Sequence, residues 1–206
     1  MQLLANTTSP FVRIARVAMI EKGIDVEPTI VDPWADDQRL RAANAATRVP
    51  TLVLDDGTPL TECMLIVQWL EAKRPAPDWP SLIGKDAVNV LSRAGIAMGV
   101  IEAAVVTIIT RKVTAPALFD ETPVGLRRRR SMAEGIVRLE AVADKLAPQG
   151  SVSKAVPTLD AIAAVTALDY LRFRFPDVPW LLPLPKLDAL SAAWRSRESF
   201  AKTMPR

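Results

Sequence analysis

The chain predicts an α/β domain followed by an all-α domain. Three observations lead there: short apolar and β-branched runs alternate with amphipathic stretches over the first 75 residues, Pro75, Pro77 and Pro80 then interrupt the chain, and nearly every long segment beyond them has helical character. Half of the 206 residues are apolar, enough to build a substantial core without disulfides.

Gln2–Ala5 predicts a short buried strand, and Asn6–Pro10 a turn into a helix over Phe11–Lys22. Phe11, Ile14, Ala15, Ala18 and Met19 recur there at helical spacing, and Gly23 supplies the stop. Val26–Val31 reads as a second strand, with Pro28 placing its backbone at an edge or an irregularity. A helix is expected over Asp36–Ala43, a strand over Thr51–Leu54, a hairpin turn at Asp55–Thr58, and a return strand from Pro59-Leu60. The next helix, Glu62–Lys73, is expected to bury Leu65, Ile66, Trp69 and Leu70. The order β-α-β-α-β-β-α makes a small sheet covered by helices. Residues 1–75 form this domain, 76–84 a linker and 85–206 the helical domain, with helices at Lys85–Thr110, Val124–Leu146, Leu159–Phe173 and Leu187–Ala193. Gly95 and Gly99 offer close helix packing. The apolar run Gly95–Ile109 contains Glu102 and is shorter than the roughly 20 residues that cross a bilayer, so it reads as a buried helix.

Composition removes several functions. The 26 basic and 23 acidic residues are spread along the chain, which argues against a nucleic-acid partner. The one cluster, Arg127-Arg128-Arg129-Arg130, reads as a solvated helix face paired with Asp120, Glu121 or Glu134. With one cysteine and no histidine, the chain lacks a disulfide framework, a dithiol redox pair, the commonest zinc ligand and the commonest general base. No metal site is expected. The first 20 residues carry arginines and no signal-peptide pattern, which points to a cytoplasmic location.

Three sites carry chemistry. Ser9, before Pro10, suits a helix cap; its hydroxyl could equally donate to a thiolate held at the positive end of that helix. Val49-Pro50 opens a strand. Glu62 and Cys63 stand at a helix start, where free amides receive a carboxylate. Cys63 reads equally as a small packing residue or a ligand contact.

Ser9-Pro10-Phe11-Val12-Arg13, Glu21-Lys22-Gly23-Ile24, Arg48-Val49-Pro50-Thr51-Leu52, Thr61-Glu62-Cys63-Met64-Leu65-Ile66, the Tyr170–Asp177 segment, and Trp194, Arg197 and Ser199–Pro205 come in an order that resembles the cytosolic glutathione S-transferase family. The likeness runs over essentially the full length, and is strongest to bacterial serine- or cysteine-type members. It implies a thioredoxin-like α/β N-terminal domain that binds glutathione, plus an all-α C-terminal domain that helps to hold the acceptor. By the same resemblance Ser9 is the catalytic residue at the glutathione sulfur, and Phe11, Arg48, Val49, Pro50, Glu62 and Cys63 bind glutathione. Pro50 is then cis, Val49 offers its backbone to the cysteinyl unit, Glu62 takes the γ-glutamyl amine, and the Cys63 amide meets the carboxylate. The implied activity is conjugation of glutathione, as co-substrate, to small hydrophobic electrophiles in detoxification, by a cytoplasmic homodimer with no metal, nucleic acid or membrane insertion. A non-catalytic glutathione- or protein-binding module and a glutathione-dependent peroxidase are the alternatives. Ala94, Met98, Ile101 and residues 111–119 are the expected acceptor contacts, in a cleft beside the helical domain; Trp69 and the first bundle helix are the expected dimer contacts.

Four positions depart from the family pattern. Cys63 replaces a serine or threonine, whose hydroxyl is the better donor. Ala45 and Thr47 stand in Asn44–Arg48 where the family has proline and glycine, which predicts a looser loop and a displaced Arg48. Asp160 falls one position early for a capping box with Thr158, leaving Thr158 as the expected cap.

Overall fold

In the computed structural model, which describes residues 1–205, the small sheet forms around β1 (Gln2–Ala5). Its strand order is β2-β1-β3-β4, with β2 at Pro28–Ile30, β3 at Thr51–Val53 and β4 at Pro59–Thr61. β2 runs parallel to β1 with Thr29 opposite Leu4; β3 runs antiparallel with Thr51 opposite Leu4; β4 runs antiparallel to β3 with Thr61 opposite Thr51. Pro28 accordingly sits on an edge strand, where a missing N–H costs no ladder bond. Leu3, Leu4, Ala5 and Leu52 are fully buried, so both sheet faces are covered. Leu4 packs with Val31 and Leu40, and strand alternation puts Leu3 and Ala5 on the opposite face.

Three helices complete this sheet: α1 (Pro10–Glu21), α2 (Gln38–Ala43) and α3 (Cys63–Lys73), with α1 packed on α3. Asp37 caps α2 by accepting from the Arg39 and Leu40 amides at 2.9 and 3.3 Å. The buried face of α3 is Cys63, Ile66, Val67 and Leu70, the i, i+3, i+4, i+7 stripe. Leu65, expected in the core, is 54% exposed and Trp69 is half-buried. The stripe begins at Cys63, whose apolar character sets the face one step away from the expected one.

The proline-rich segment, expected as a linker, packs onto this unit as far as Leu82, which is buried. The fully buried Lys22 holds it there: its Nζ bonds Glu71 Oε1 at 2.7 Å and the Arg74 carbonyl at 2.9 Å. Glu71 also accepts from Ser81 Oγ and the Leu82 amide at 3.0 and 2.9 Å. Trp79 lies against Gly23, at φ +68°, where a Cβ would stand 2.3 Å from the indole. The chain returns to the same unit from Arg197 onward. Arg197 grips the Glu21 carboxylate through two bonds of 2.6 Å and Ser199 adds a third. A last short helix, α8 (Glu198–Ala201), packs on α1. The expected helical domain, 85–206, thus differs from the second compact unit, Ile83–Ser196, because these polar contacts fasten both the linker and the tail to α1.

The second unit comprises α4 (Ala87–Thr114), α5 (Pro123–Val142), α6 (Leu159–Arg174) and α7 (Pro185–Arg195), with 3₁₀ turns at Phe119–Glu121 and Ala143–Leu146. α4 extends well beyond the apolar run noted in the sequence; by length and composition alone it could span a bilayer, and here it packs on α5 and α6. α6 is buried at every position from Leu159 to Leu171. Thr158 sits at its N-cap position without a side-chain bond. Asp160, fully buried, instead bonds Arg93 Nε of α4 at 2.6 Å, so the acid misplaced for a capping box serves a buried ion pair. The close approach of α4 and α5 falls at Gly135, where a Cβ would stand 2.5 Å from Val100, whereas Gly95 and Gly99 face open space. Asp120 pairs with Arg111, and among the described residues none of Arg127, Arg128, Arg129 and Arg130 forms the expected ion pair.

Arg197→Ala is expected to lower the unfolding free energy by about 3 kcal/mol, because it strands a nearly buried carboxylate. Arg197→Lys restores only part, lacking the two-pronged fork. Urea denaturation reads both; a loss below about 1 kcal/mol for the alanine variant would show that the tail is not anchored by this pair.

Candidate functional site

One row of residues across the sheet, Leu4, Thr51 and Thr61, determines which loops meet. β1 leaves this row toward Asn6–Ser9, β3 is reached from Val49-Pro50, and β4 leaves it toward Glu62. Antiparallel pairing therefore gathers Ser9, Val49-Pro50 and Glu62 at one end of the sheet.

Ser9 is the N-cap of α1, with extended backbone (φ −73°, ψ 121°), and its Oγ accepts from the Val12 amide at 3.3 Å. The turn before it is fixed by Asn6, whose Oδ1 accepts from the Thr8 N–H and Oγ–H at 2.9 and 2.8 Å and whose carbonyl accepts from the Ser9 amide at 3.3 Å. Capping uses an oxygen lone pair and leaves the hydroxyl proton to donate outward. Phe11, second residue of α1, is half-buried.

The Val49–Pro50 peptide is cis, as the family resemblance implies. Its loop is tied down, contrary to the looseness expected from Ala45 and Thr47. Buried Asn44 donates to the Arg48 carbonyl and Thr51 Oγ1 at 3.1 and 3.2 Å and accepts from the Ala46 amide at 3.0 Å. Thr51 Oγ1 also donates to the Arg48 carbonyl at 2.8 Å. Asn44 and Thr51 are thus the supporting residues that sequence reasoning missed, and the available signal was an amide and a hydroxyl bracketing the proline loop. Thr47 adopts φ +49°. Among the described residues no partner is found for the Val49 N–H or C=O, which leaves one main-chain donor and acceptor for an extended peptide.

Glu62 stands at φ +65°, exposed, and its carboxylate does not cap α3. It lies 3.6 Å from Arg48 Nη1. Both partners are largely solvated, so the pair contributes at most about 1 kcal/mol and is easily exchanged for a ligand. Cys63 points inward and is buried. Burial, then the Glu62 charge, push its thiol up to about 12, against the opposing pull of the Met64 and Cys63 amides. The side chain is a core residue, and what Cys63 presents at the helix start is its backbone N–H. Ala94 and Ile101, expected as acceptor contacts, are fully buried in the second unit, and Met98 is half-buried.

A family profile described as "Glutathione S-transferase, N-terminal domain" matches residues 8–73. The Escherichia coli (strain K12) protein named "Uncharacterized GST-like protein YibF" is 30% identical over 205 residues, covering 100% of this chain and 98% of that one. The chain belongs to the glutathione S-transferase family. Its architecture is that of solved family structures: one from Methylobacillus flagellatus KT with glutathione bound has a TM-score of 0.83 at 28% identity, covering 100% of this chain and 99% of that chain. One from Methylobacterium radiotolerans, in complex with glutathione sulfonate, has a TM-score of 0.82 at 28% identity, covering 99% and 94%. In this glutathione S-transferase family member the small mixed sheet with its helices is the thioredoxin-like part, and the helical remainder the all-α part.

The raised Cys63 pKa fixes a measurable outcome. At pH 8 a free cysteine is about one-quarter thiolate, and a thiol near 12 is about one part in 10⁴ thiolate. Native protein should therefore react with a disulfide reagent at least about 10³-fold more slowly than protein in urea; comparable rates would show Cys63 to be accessible and activated.

Proposed function

We propose that the protein is a glutathione transferase. The observation that carries this reading is the gathering of Ser9, the unpaired Val49 main chain and Glu62 at one end of the sheet. A bound γ-glutamyl-cysteinyl peptide would pair its cysteinyl N–H and C=O with Val49. Its ammonium would go to the Glu62 carboxylate, and its α-carboxylate to the Cys63 and Met64 amides at the positive end of α3, with Arg48 alongside. The thiol then lies beside Ser9. The Ser9 hydroxyl donates to the sulfur and the N-terminus of α1 favours negative charge, so the thiolate is stabilised and the proton passes to solvent. Sulfur attacks an electrophilic carbon, the S–C bond forms, and the leaving group or π-electron pair departs from that carbon. Ser9 stays uncharged and forms no covalent intermediate. Holding both reactants together supplies much of the acceleration. The two solved relatives at 28% identity with glutathione or glutathione sulfonate bound support glutathione as the co-substrate. The same reading carries a cytoplasmic homodimer that acts on small hydrophobic electrophiles.

A second reading, glutathione binding without turnover, is favoured by Cys63 alone, whose buried side chain leaves the peptide carboxylate to main-chain donors.

Ser9→Ala should raise the pKa of bound glutathione, read from thiolate absorbance, and lower kcat/KM toward an aryl halide by roughly 10²-fold. Calorimetric affinity for glutathione should change little. Unchanged thiol pKa and turnover would remove Ser9 from the sulfur; binding by the native protein with no turnover across varied electrophiles would favour the second reading.

A further inference from the structure

The first unit contains a cavity of about 420 Å³ that Ser9 lines and that extends to the start of β2 and to Lys202–Met204. This is ligand size. One of its walls is a face of α1: Ser9, Arg13 and Arg16 follow at spacings of four and three residues, the neighbours along one helix side. Arg16 lies about 10 Å along the axis from Ser9 at the helical rise. Val12 and Ile30 add apolar surface.

The charges of this cavity are unequally satisfied. Lys202 is held between Asp25 and Glu198 at 2.9 and 2.7 Å, which pairs off the charges of Lys202 and Asp25. Glu27 is exposed. Arg13, 5% exposed, is engaged, directing Nη2 to the Met204 thioether at 3.3 Å. Arg16 is half-buried, and its side chain makes no hydrogen bond or ion pair among the described residues. A partly dry guanidinium with no acceptor among the described residues, on the same helix wall as Ser9 and with Val12 between them, is suited to a planar carboxylate.

We propose that this cavity is an acceptor subsite for electrophiles bearing a carboxylate, with Arg16 binding the carboxylate while the reactive carbon meets the thiolate at Ser9. The inference rests on the glutathione transferase reading and adds a substrate class to it. For an unsaturated acid, the sulfur bonds to the β-carbon, the π pair moves to the α-carbon, and that carbon takes a proton from water, balancing the one lost by the thiol. Arg16 is then a specificity determinant that touches substrate without taking part in proton transfer.

Calorimetric titration of the full chain with glutathione, S-butylglutathione and S-carboxypropylglutathione tests this, since the last two differ chiefly in the charged end. The carboxylate conjugate should bind about tenfold more tightly than the butyl conjugate. Arg16→Ala should abolish that preference and leave glutathione affinity unchanged, and Arg16→Lys should keep part of it. Equal affinities in the native protein, or a preference that survives in Arg16→Ala, would overturn the subsite while glutathione binding stands. Failure of glutathione itself to bind would overturn the underlying reading and the subsite together, and is seen separately in the first titration.

Discussion

The pairing of Leu4 with Thr51, and of Thr51 with Thr61, is the constraint on which the site depends. None of the chemistry-bearing residues lies in a strand, yet each is one turn or less from this row. A register slip of one residue would turn every strand side chain to the other face. It would take Leu4 away from Val31 and Leu40 and move Val49 and Glu62 relative to Ser9. Packing of a few aliphatic side chains therefore positions the polar groups, and the loops inherit their placement from the core. Asn44 then converts the Val49-Pro50 approach into a fixed feature by bonding to both sides of it.

Helix α1 works from both ends. Its first turn offers Ser9 and, among the described residues, the unpaired Phe11 amide, whereas its C-terminal end carries two adjacent charges that reach in different directions. Glu21 takes Arg197 and Ser199 from the tail, and Lys22 takes Glu71 and the Arg74 carbonyl from the end of α3. Buried ion pairs add little over apolar packing when complete, but cost several kcal/mol when half is removed. Their effect here is one of specification: the tail and the proline-rich segment have defined seats on α1. That arrangement also places Lys202, Thr203 and Met204 along the cavity that Ser9 lines.

Local patterns in the sequence located the strands and most helices, since apolar periodicity and the turns at Gly23 and Asp55–Thr58 are properties of neighbouring residues. The Ser9, Val49-Pro50 and Glu62 motifs were legible for the same reason, by their likeness to the family. Pairwise properties were not. Nothing near Gly135 says that Val100 will press on it, while Gly95 and Gly99 look equally fit for that role. Arg93 and Asp160 are 67 positions apart, and without the fold Asp160 reads as a failed cap. The α3 face expected from Leu65 and Trp69 is not the buried one: leucine and tryptophan offer more apolar surface than cysteine, yet the stripe starting at Cys63 is the one that closes the core.

Cys63 links this packing to the proposed ligand recognition. A thiol is a weak donor and behaves as a small apolar group, so it fits an inward position beside Ile66, Val67 and Leu70. A hydroxyl pointed into the same place would need a partner, and an unsatisfied one costs about 1–3 kcal/mol. The substitution therefore favours the core of α3 at the expense of a side-chain donor at its N-terminus. Under the proposed function, recognition of a carboxylate there falls to the main-chain amides of Cys63 and Met64 and to the solvated Arg48 guanidinium, 3.6 Å from Glu62. Main-chain donors cannot rotate away, and their placement follows from the φ +65° turn at Glu62. Under that proposal, geometry at the helix start does the orienting work that a side-chain hydroxyl would otherwise share.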